Sequence, residues 1–218
     1  MSFFDALKDI PVPAQFGIYE EESDLTPSSY EYETEIYIKA NELGVNIKTA
    51  YGCSQFVVIV NDNEVYKIPF NGVMYANYED SFELFDRDYA DETVALYKAA
   101  VEEGVDKVFA NTRLVGYSCN GYPIYTQTYA KSYLHYCDNP TQPTEDSKRK
   151  AKKISREKYI PFTNDWFALA IDQFGLDYMM KVLEFIDDFC ISDLHRHNYG
   201  YTAEGRVIIF DYAGFDEY

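Results

Sequence analysis

Three side chains toward the C-terminal end of the chain have types and spacing that could do chemistry. Asp193 and Asn198 lie five residues apart in Asp193-Leu-His-Arg-His-Asn198, and Asp211 follows thirteen residues later. A carboxylate, a carboxamide and a second carboxylate on adjoining loops offer hard oxygen donors. Mg²⁺ takes such donors in an octahedron, using one or two protein carboxylates and leaving other positions to phosphate oxygens. A further carboxylate can then orient a hydroxyl for attack on a terminal phosphate. Taken singly, Asp and Asn most often cap turns and strand ends. Their combination around a helix end and a strand end fits a magnesium–nucleotide site.

The elements that must hold these residues can be read from the same stretch. Residues 164–174 and 176–190 are apolar-rich and predict two helices, with Gly175 as the break between them. A short strand, the turn Ala203-Glu-Gly205 and the run Val207-Ile-Ile-Phe210 follow, and the run delivers Asp211 at its end. Upstream, residues 31–43 predict a helix that stops at Gly44. Val45–Ala50, Phe56–Val60 and Val65–Phe70 predict strands, the last two joined through Asn61-Asp62-Asn63. Residues 86–103 return to helical spacing and end at Gly104; strands are expected at 112–118 and 122–129. The expected order is β-β-β-α-β-β and then a mostly helical part. Asp138-Asn-Pro-Thr-Gln-Pro-Thr-Glu-Asp146 is turn-rich and places a boundary near 138–148.

The Asp-x-x-x-x-Asn spacing, followed by a hairpin and Asp211-Tyr-Ala-Gly, resembles the catalytic and metal loops of the protein-kinase-like superfamily. It looks most like the short serine/threonine protein kinases encoded by some bacteriophages, and like aminoglycoside-type phosphotransferases. Both commonly carry Asp-x-His here, as in Asp193-Leu-His195. The resemblance implies Asp193 as catalytic base, Asn198 and Asp211 as metal ligands, and His195 as a loop-shaping or phosphate-facing residue. It implies ATP and Mg²⁺ as cofactors.

The same resemblance can be followed through the N-terminal half. Gly52-Cys-Ser54-Gln-Phe56 is similar to a Gly-x-Ser-x-Phe variant of the phosphate-covering loop, with Gly52 and Ser54 at the phosphates. Lys67, in Val-Tyr-Lys-Ile-Pro, matches the strand Lys that holds the α- and β-phosphates. Glu92-Thr-Val-Ala-Leu96 resembles the helix that supplies its partner Glu; Glu83 and Asp88 are alternatives among ten acids between 79 and 106. Glu92 is expected to point inward with Leu96, since i and i+4 share a helix face. By order alone, Thr128 and Ala130 occupy the hinge where adenine would bond the backbone.

The implied fold is α+β and bilobal, protein-kinase-like. Its N-lobe would be an antiparallel sheet with one main helix, and its C-lobe truncated and mainly helical. The expected parts are an acidic N-terminal extension and helix (1–44), an N-lobe (45–137) and a minimal C-lobe with both loops (138–218). Three features depart from the family. Ile191-Ser192 replaces the usual His-Arg before Asp193, the metal loop has an additional residue before its Gly, and seven residues follow Asp211. Three functions therefore stay open. One is a minimal ATP- and Mg-dependent kinase acting on Ser/Thr of a specific protein. The others are a nucleotide-binding pseudokinase working as an interaction or inhibitor module, and a small-molecule phosphotransferase.

Composition bounds the partners. The 218 residues carry 19 Lys+Arg against 37 Asp+Glu, a net charge of −18, which disfavours general nucleic-acid binding. An anionic nucleotide then requires a local cation or a metal. The charge is uneven: residues 1–34 are net −7 and residues 148–158 net +6. That basic run is either solvated decoration or a dock for an acidic partner. No apolar run suits a membrane span, the N-terminus lacks a signal pattern, and cysteines 53, 119, 137 and 190 are scattered. A cytoplasmic chain is expected, in the host cell if phage-encoded. His135 and Cys190 read as structural.

Overall fold

The computed structural model describes residues 2–13, 28–51, 55–69, 72–77, 80–84, 88–133 and 141–212. Its contacts divide the chain into two units: Met1–Glu92 with Thr112–Gln127, and Thr93–Asn111 with Thr128–Tyr218. The chain therefore passes between them at 92/93, 111/112 and 127/128. By these contacts Thr93–Asn111 group with the C-terminal residues.

The first unit is built on antiparallel strands β1 (Ile47–Tyr51), β2 (Gln55–Val60), β3 (Glu64–Pro69), β6 (Thr112–Tyr117) and β7 (Pro123–Thr128), in the order β1-β2-β3-β7-β6. Asn61 and Asp62 both take φ +52° between β2 and β3, the left-handed pair that a tight hairpin needs. Helices α1 (Phe3–Lys8) and α2 (Ser29–Leu43) carry capping boxes, Ser2 with Asp5 and Ser28 with Glu31. Gly44 closes α2 at φ +66°. Phe3, Leu7, Tyr32 and Ile36 from these helices bury against Phe56, Val58, Ile68 and Ile124 of the sheet.

Two elements of this unit differ from expectation. A hairpin of β4 (Gly72–Asn77) and β5 (Asp80–Leu84) stands where no element was expected. Its turn has no Gly and is followed by acids, so it carried no hairpin signal. The short α1 was not expected either, although Ser2 and Asp5 have the capping-box spacing. The expected β-β-β-α-β-β order therefore becomes five strands, the helix α3 (Asp88–Glu102), and two strands.

In the second unit, α4 (Glu145–Glu157), α5 (Asn164–Phe174) and α6 (Leu176–Asp188) accompany the body of α3, a 3-10 turn at Asp106–Val108, and a small antiparallel sheet. That sheet has the order β10 (Val207–Ile209), β9 (Tyr199–Tyr201), β8 (Lys131–Ser132). The expected linker region already contains the start of α4, whose N-cap is Thr144, so the basic run forms the helix body. Asp172 of α5 joins the two helices. Its carboxylate accepts from Thr144 N (2.6 Å), Thr144 Oγ1 (2.8 Å) and Ser147 Oγ (2.5 Å). Trp166 is fully buried and donates from Nε1 to Gly200 O at 3.0 Å, fixing α5 to β9. Among the described residues no helix is long and apolar enough to cross a membrane.

Candidate functional site

Both ends of the Asp193–Asn198 loop are pinned. At the end of α6, Cys190 adopts φ +51° and Ile191 N donates back to Ile186 O at 3.0 Å, which turns the chain sharply. Ile191 and Leu194 are buried at alternate sides of exposed Asp193. The side chain between two apolar anchors thus has little choice but to face outward. On the far side, Asn198 leads directly into β9.

Asn198 is the hub of the site. Its side chain is buried, and Nδ2 donates to Asp193 O (2.6 Å) and Asp193 Oδ2 (3.3 Å). Its N–H donates to His195 O at 2.9 Å, and its carbonyl accepts from Phe210 N (2.9 Å) and Asp211 N (3.2 Å). One residue therefore ties Asp193 through its amide and Asp211 through its backbone. Asp211 is held further from both neighbours: Ala110 N donates to Ile209 O at 2.7 Å, and Tyr212 Oη donates to Ala110 O at 2.8 Å. Tyr212 is buried edge-on against Phe109.

His195 shapes the loop. Its Nδ1 accepts from His197 N at 3.2 Å, which leaves the ring proton of the neutral form on Nε2. That nitrogen lies 3.4 Å from Asp193 Oδ1. Asp193 is thus held between an amide on one oxygen and an imidazole near the other.

With Nδ2 committed to Asp193, Oδ1 is the amide atom of Asn198 that can meet a cation, and Asp211 adds a carboxylate. Two protein oxygens with positions left over suit Mg²⁺, which keeps waters and takes phosphate oxygens. Among the described residues no three His, Cys, Asp or Glu gather as a metal cage. The donor set fits a substrate-completed magnesium site better than a closed zinc or calcium site.

The remaining expected residues fall as follows. Lys67 sits on β3 opposite Val57 and is buried at 9% exposure, flanked by the buried Val65, Tyr66, Ile68 and Pro69. An ammonium is kept in such a place only where polar or anionic groups meet it. Glu92 corrects an expectation: it is exposed, whereas Thr93, Leu96 and Ala100 form the buried stripe of α3. At about 100° per residue Glu92 lies about 40° from Leu96 but about 100° from Thr93, which leaves it at the exposed edge of that face. Partial burial still pushes the Glu92 carboxyl above its ordinary value. Thr128 is the exposed last residue of β7 and Ala130 is half-buried before β8, both at the passage between units. Gly52, Ser54 and His135 lie outside the described residues, as do Ala213 and Gly214 of the Asp211 loop and the side chains of Glu83 and Asp88.

Sequence reasoning missed the residues beside the loop: Arg196, Tyr199 and the segment 161–164, which together line a pocket with His195. Tyr199 is fully buried, its hydroxyl accepts from Thr163 N at 3.1 Å, and burial raises its pKa. One tyrosine among 22 gives no signal of this kind; its place directly after Asn198 was the only clue.

No family model and no curated protein matches the chain. Among solved structures, a mutant aminoglycoside 2'-phosphotransferase-IIIa in complex with GDP is similar at 13% identity and a TM-score of 0.37, over 84% of this chain and 71% of that chain. The streptomycin–ATP ternary complex of APH(2")-IIa is similar at 14% identity and a TM-score of 0.33, over 89% of this chain and 72% of that one. Likeness at this level leaves the assignment of function to the chain's own residues.

Proposed function

We propose that the chain is an ATP- and magnesium-dependent phosphotransferase that transfers a terminal phosphate to a hydroxyl. The observation that carries this is Asn198, whose amide binds Asp193 while its carbonyl receives Asp211 N. A base candidate and a metal-ligand candidate thereby share one rigid support. Asp193 is exposed, so it can receive an acceptor hydroxyl, orient it and take its proton. Asn198 Oδ1 and Asp211 would hold Mg²⁺, which supplies positive charge against the phosphates when bound. Lys67 offers the buried strand ammonium that a triphosphate needs in a chain of net charge −18. Binding of this kind is what an acidic chain could not achieve by its overall field.

The test separates binding from transfer. Mg-ATP should raise the melting temperature of wild type, because a ligand that binds only the native state stabilises it. ATP without metal should do much less. Asp193→Asn should keep Mg-ATP affinity and lower transfer by about 10²–10⁴. Asp211→Asn should abolish the metal dependence of binding together with transfer, and Lys67→Ala should weaken both. If saturating Mg-ATP leaves the wild-type melt unchanged, the function is wrong. If wild type binds Mg-ATP but transfers phosphate neither to an acceptor nor to water, a pseudokinase remains.

A further inference from the structure

A pocket of about 440 Å³ opens beside the catalytic-loop candidate, within the second unit. It is an open groove and not an enclosed cavity, so it suits a few groups of an acceptor lying across it. Its apolar wall is Phe162 with Tyr199, their rings edge-on at 5.2 Å and backed by Trp166. Its polar wall is His195 and Arg196, and Thr163 and Asn164 complete the rim. None of the lining residues is acidic, which is notable in a chain with almost twice as many acids as bases. Arg196 is exposed, and among the described residues no carboxylate lies within 4.0 Å of it. Six other described cations, Lys39, Lys48, Lys148, Arg149, Lys150 and Lys158, each have an acid within 4.0 Å.

Resting on the phosphotransfer function above, we infer that this pocket is the acceptor site and that it selects a hydroxyl compound carrying a carboxylate or phosphate close to the hydroxyl. The wall ends on the base: His195 lines the pocket and its Nε2 is 3.4 Å from Asp193 Oδ1. An acceptor whose anionic group pairs with Arg196 has its hydroxyl directed past His195 to Asp193. The hydroxyl oxygen bonds to the terminal phosphorus of the nucleotide triphosphate as the bond to the bridging oxygen breaks. The hydroxyl proton passes to Asp193, and the nucleoside diphosphate leaves. Arg196 is a binding residue that decides which acceptors enter. A polycation would meet Arg196 in a lining that itself holds no acid.

Three probes test this with full-length protein: a serine peptide flanked by glutamates, the same peptide flanked by lysines, and glycerol 3-phosphate. Transfer from labelled Mg-ATP should favour the glutamate peptide or glycerol 3-phosphate over the lysine peptide by about fivefold or more, as expected for one or two well-placed charge pairs. Whichever anionic probe is used identifies the source as peptide or small molecule. Arg196→Glu should reverse the preference, whereas Arg156→Glu, an exposed change on α4, should leave it as in wild type. Equal or better use of the lysine peptide by wild type, or an unchanged preference in Arg196→Glu, overturns the assignment. Anisotropy of the labelled peptides without nucleotide keeps the two proposals distinct. A pocket that neither binds the glutamate peptide better than the lysine peptide nor is filled by glycerol 3-phosphate in competition fails by itself, whether or not Mg-ATP binds.

Discussion

Replacing Asn198 by Asp changes one atom type and tests the hub directly. The amide nitrogen now 3.3 Å from Asp193 Oδ2 and 2.6 Å from Asp193 O would become a carboxylate oxygen facing two acceptors. Two unit charges at that separation repel by about 1 kcal/mol at the dielectric of water and about 5 kcal/mol at an effective value of 20. Asp193 is exposed and residue 198 buried, so the outcome lies between these limits. The lost donor adds about 1 kcal/mol. A loss of about 2–4 kcal/mol is expected at pH 7 in metal-free, low-salt buffer. For a chain of this size that lowers the melting temperature by roughly 5–15 °C. Asn198→Leu, which removes the amide without adding charge, should lose less. Salt or millimolar Mg²⁺ should restore much of the difference in the Asp variant and little in the Leu variant, since only the former carries excess negative charge. Trp166 is the only tryptophan and is buried against β9, so its fluorescence reports unfolding of this unit. If Asn198→Asp melts within about 0.5 kcal/mol of wild type without metal, the range of a neutral surface change, the amide is not turned toward Asp193 and the hub is misassigned.

Two other perturbations probe the supports of the site. A Cβ on Gly200 would stand 1.8 Å from Lys131 O, a backbone atom, so Gly200→Ala should part β8 from β9 and cost about 3–5 kcal/mol, read as early loss of Trp166 fluorescence; a wild-type melt would contradict the β8–β9 register. At Asp172, desolvation raises the carboxyl pKa, but bonds from Ser147 and Thr144 outweigh it and hold it below the ordinary value. The folded form therefore disfavours protonation, so this stabilisation is complete above the unfolded pKa of about 3.9 and is lost as pH falls through the lower folded value. Asp172→Ala should cost about 1–2 kcal/mol at pH 7 and show a shallower decline between neutral pH and pH 3 than wild type, measured by urea melts; parallel declines would count against the cap.

Much of this architecture was legible because local chemistry and global position agree. Gly44 and Gly175 mark helix ends, and Asn61-Asp62 can take the left-handed pair. Where they disagree, the reading failed. The β4–β5 turn lacks the residues that announce a hairpin, and the inward face of α3 is set by Thr93, Leu96 and Ala100, which compete poorly with ten nearby acids for attention. The grouping of 93–111 with the C-terminal unit depends on Phe109 and Ala110 meeting β10, a contact a hundred residues away in sequence. No local pattern encodes that.

The site itself divides along the same line. Asp193, Asn198 and Asp211 announce themselves as hard oxygen donors spaced on adjoining loops. Their spacing works only because β9 and β10 pair as a two-stranded turn of fixed register, Tyr199 opposite Ile209. That pairing returns residue 211 to the backbone of residue 198. The pocket obeys no such rule. Phe162 and Arg196 come from segments separated by two helices, and a cation beside a ring can be placed there by any turn of suitable length. Machinery that holds a metal and a base must preserve bond lengths and therefore leaves a spacing in the sequence. A surface that selects an acceptor needs only charge and shape, so its residues become visible when the fold brings 162 and 196 to one pocket.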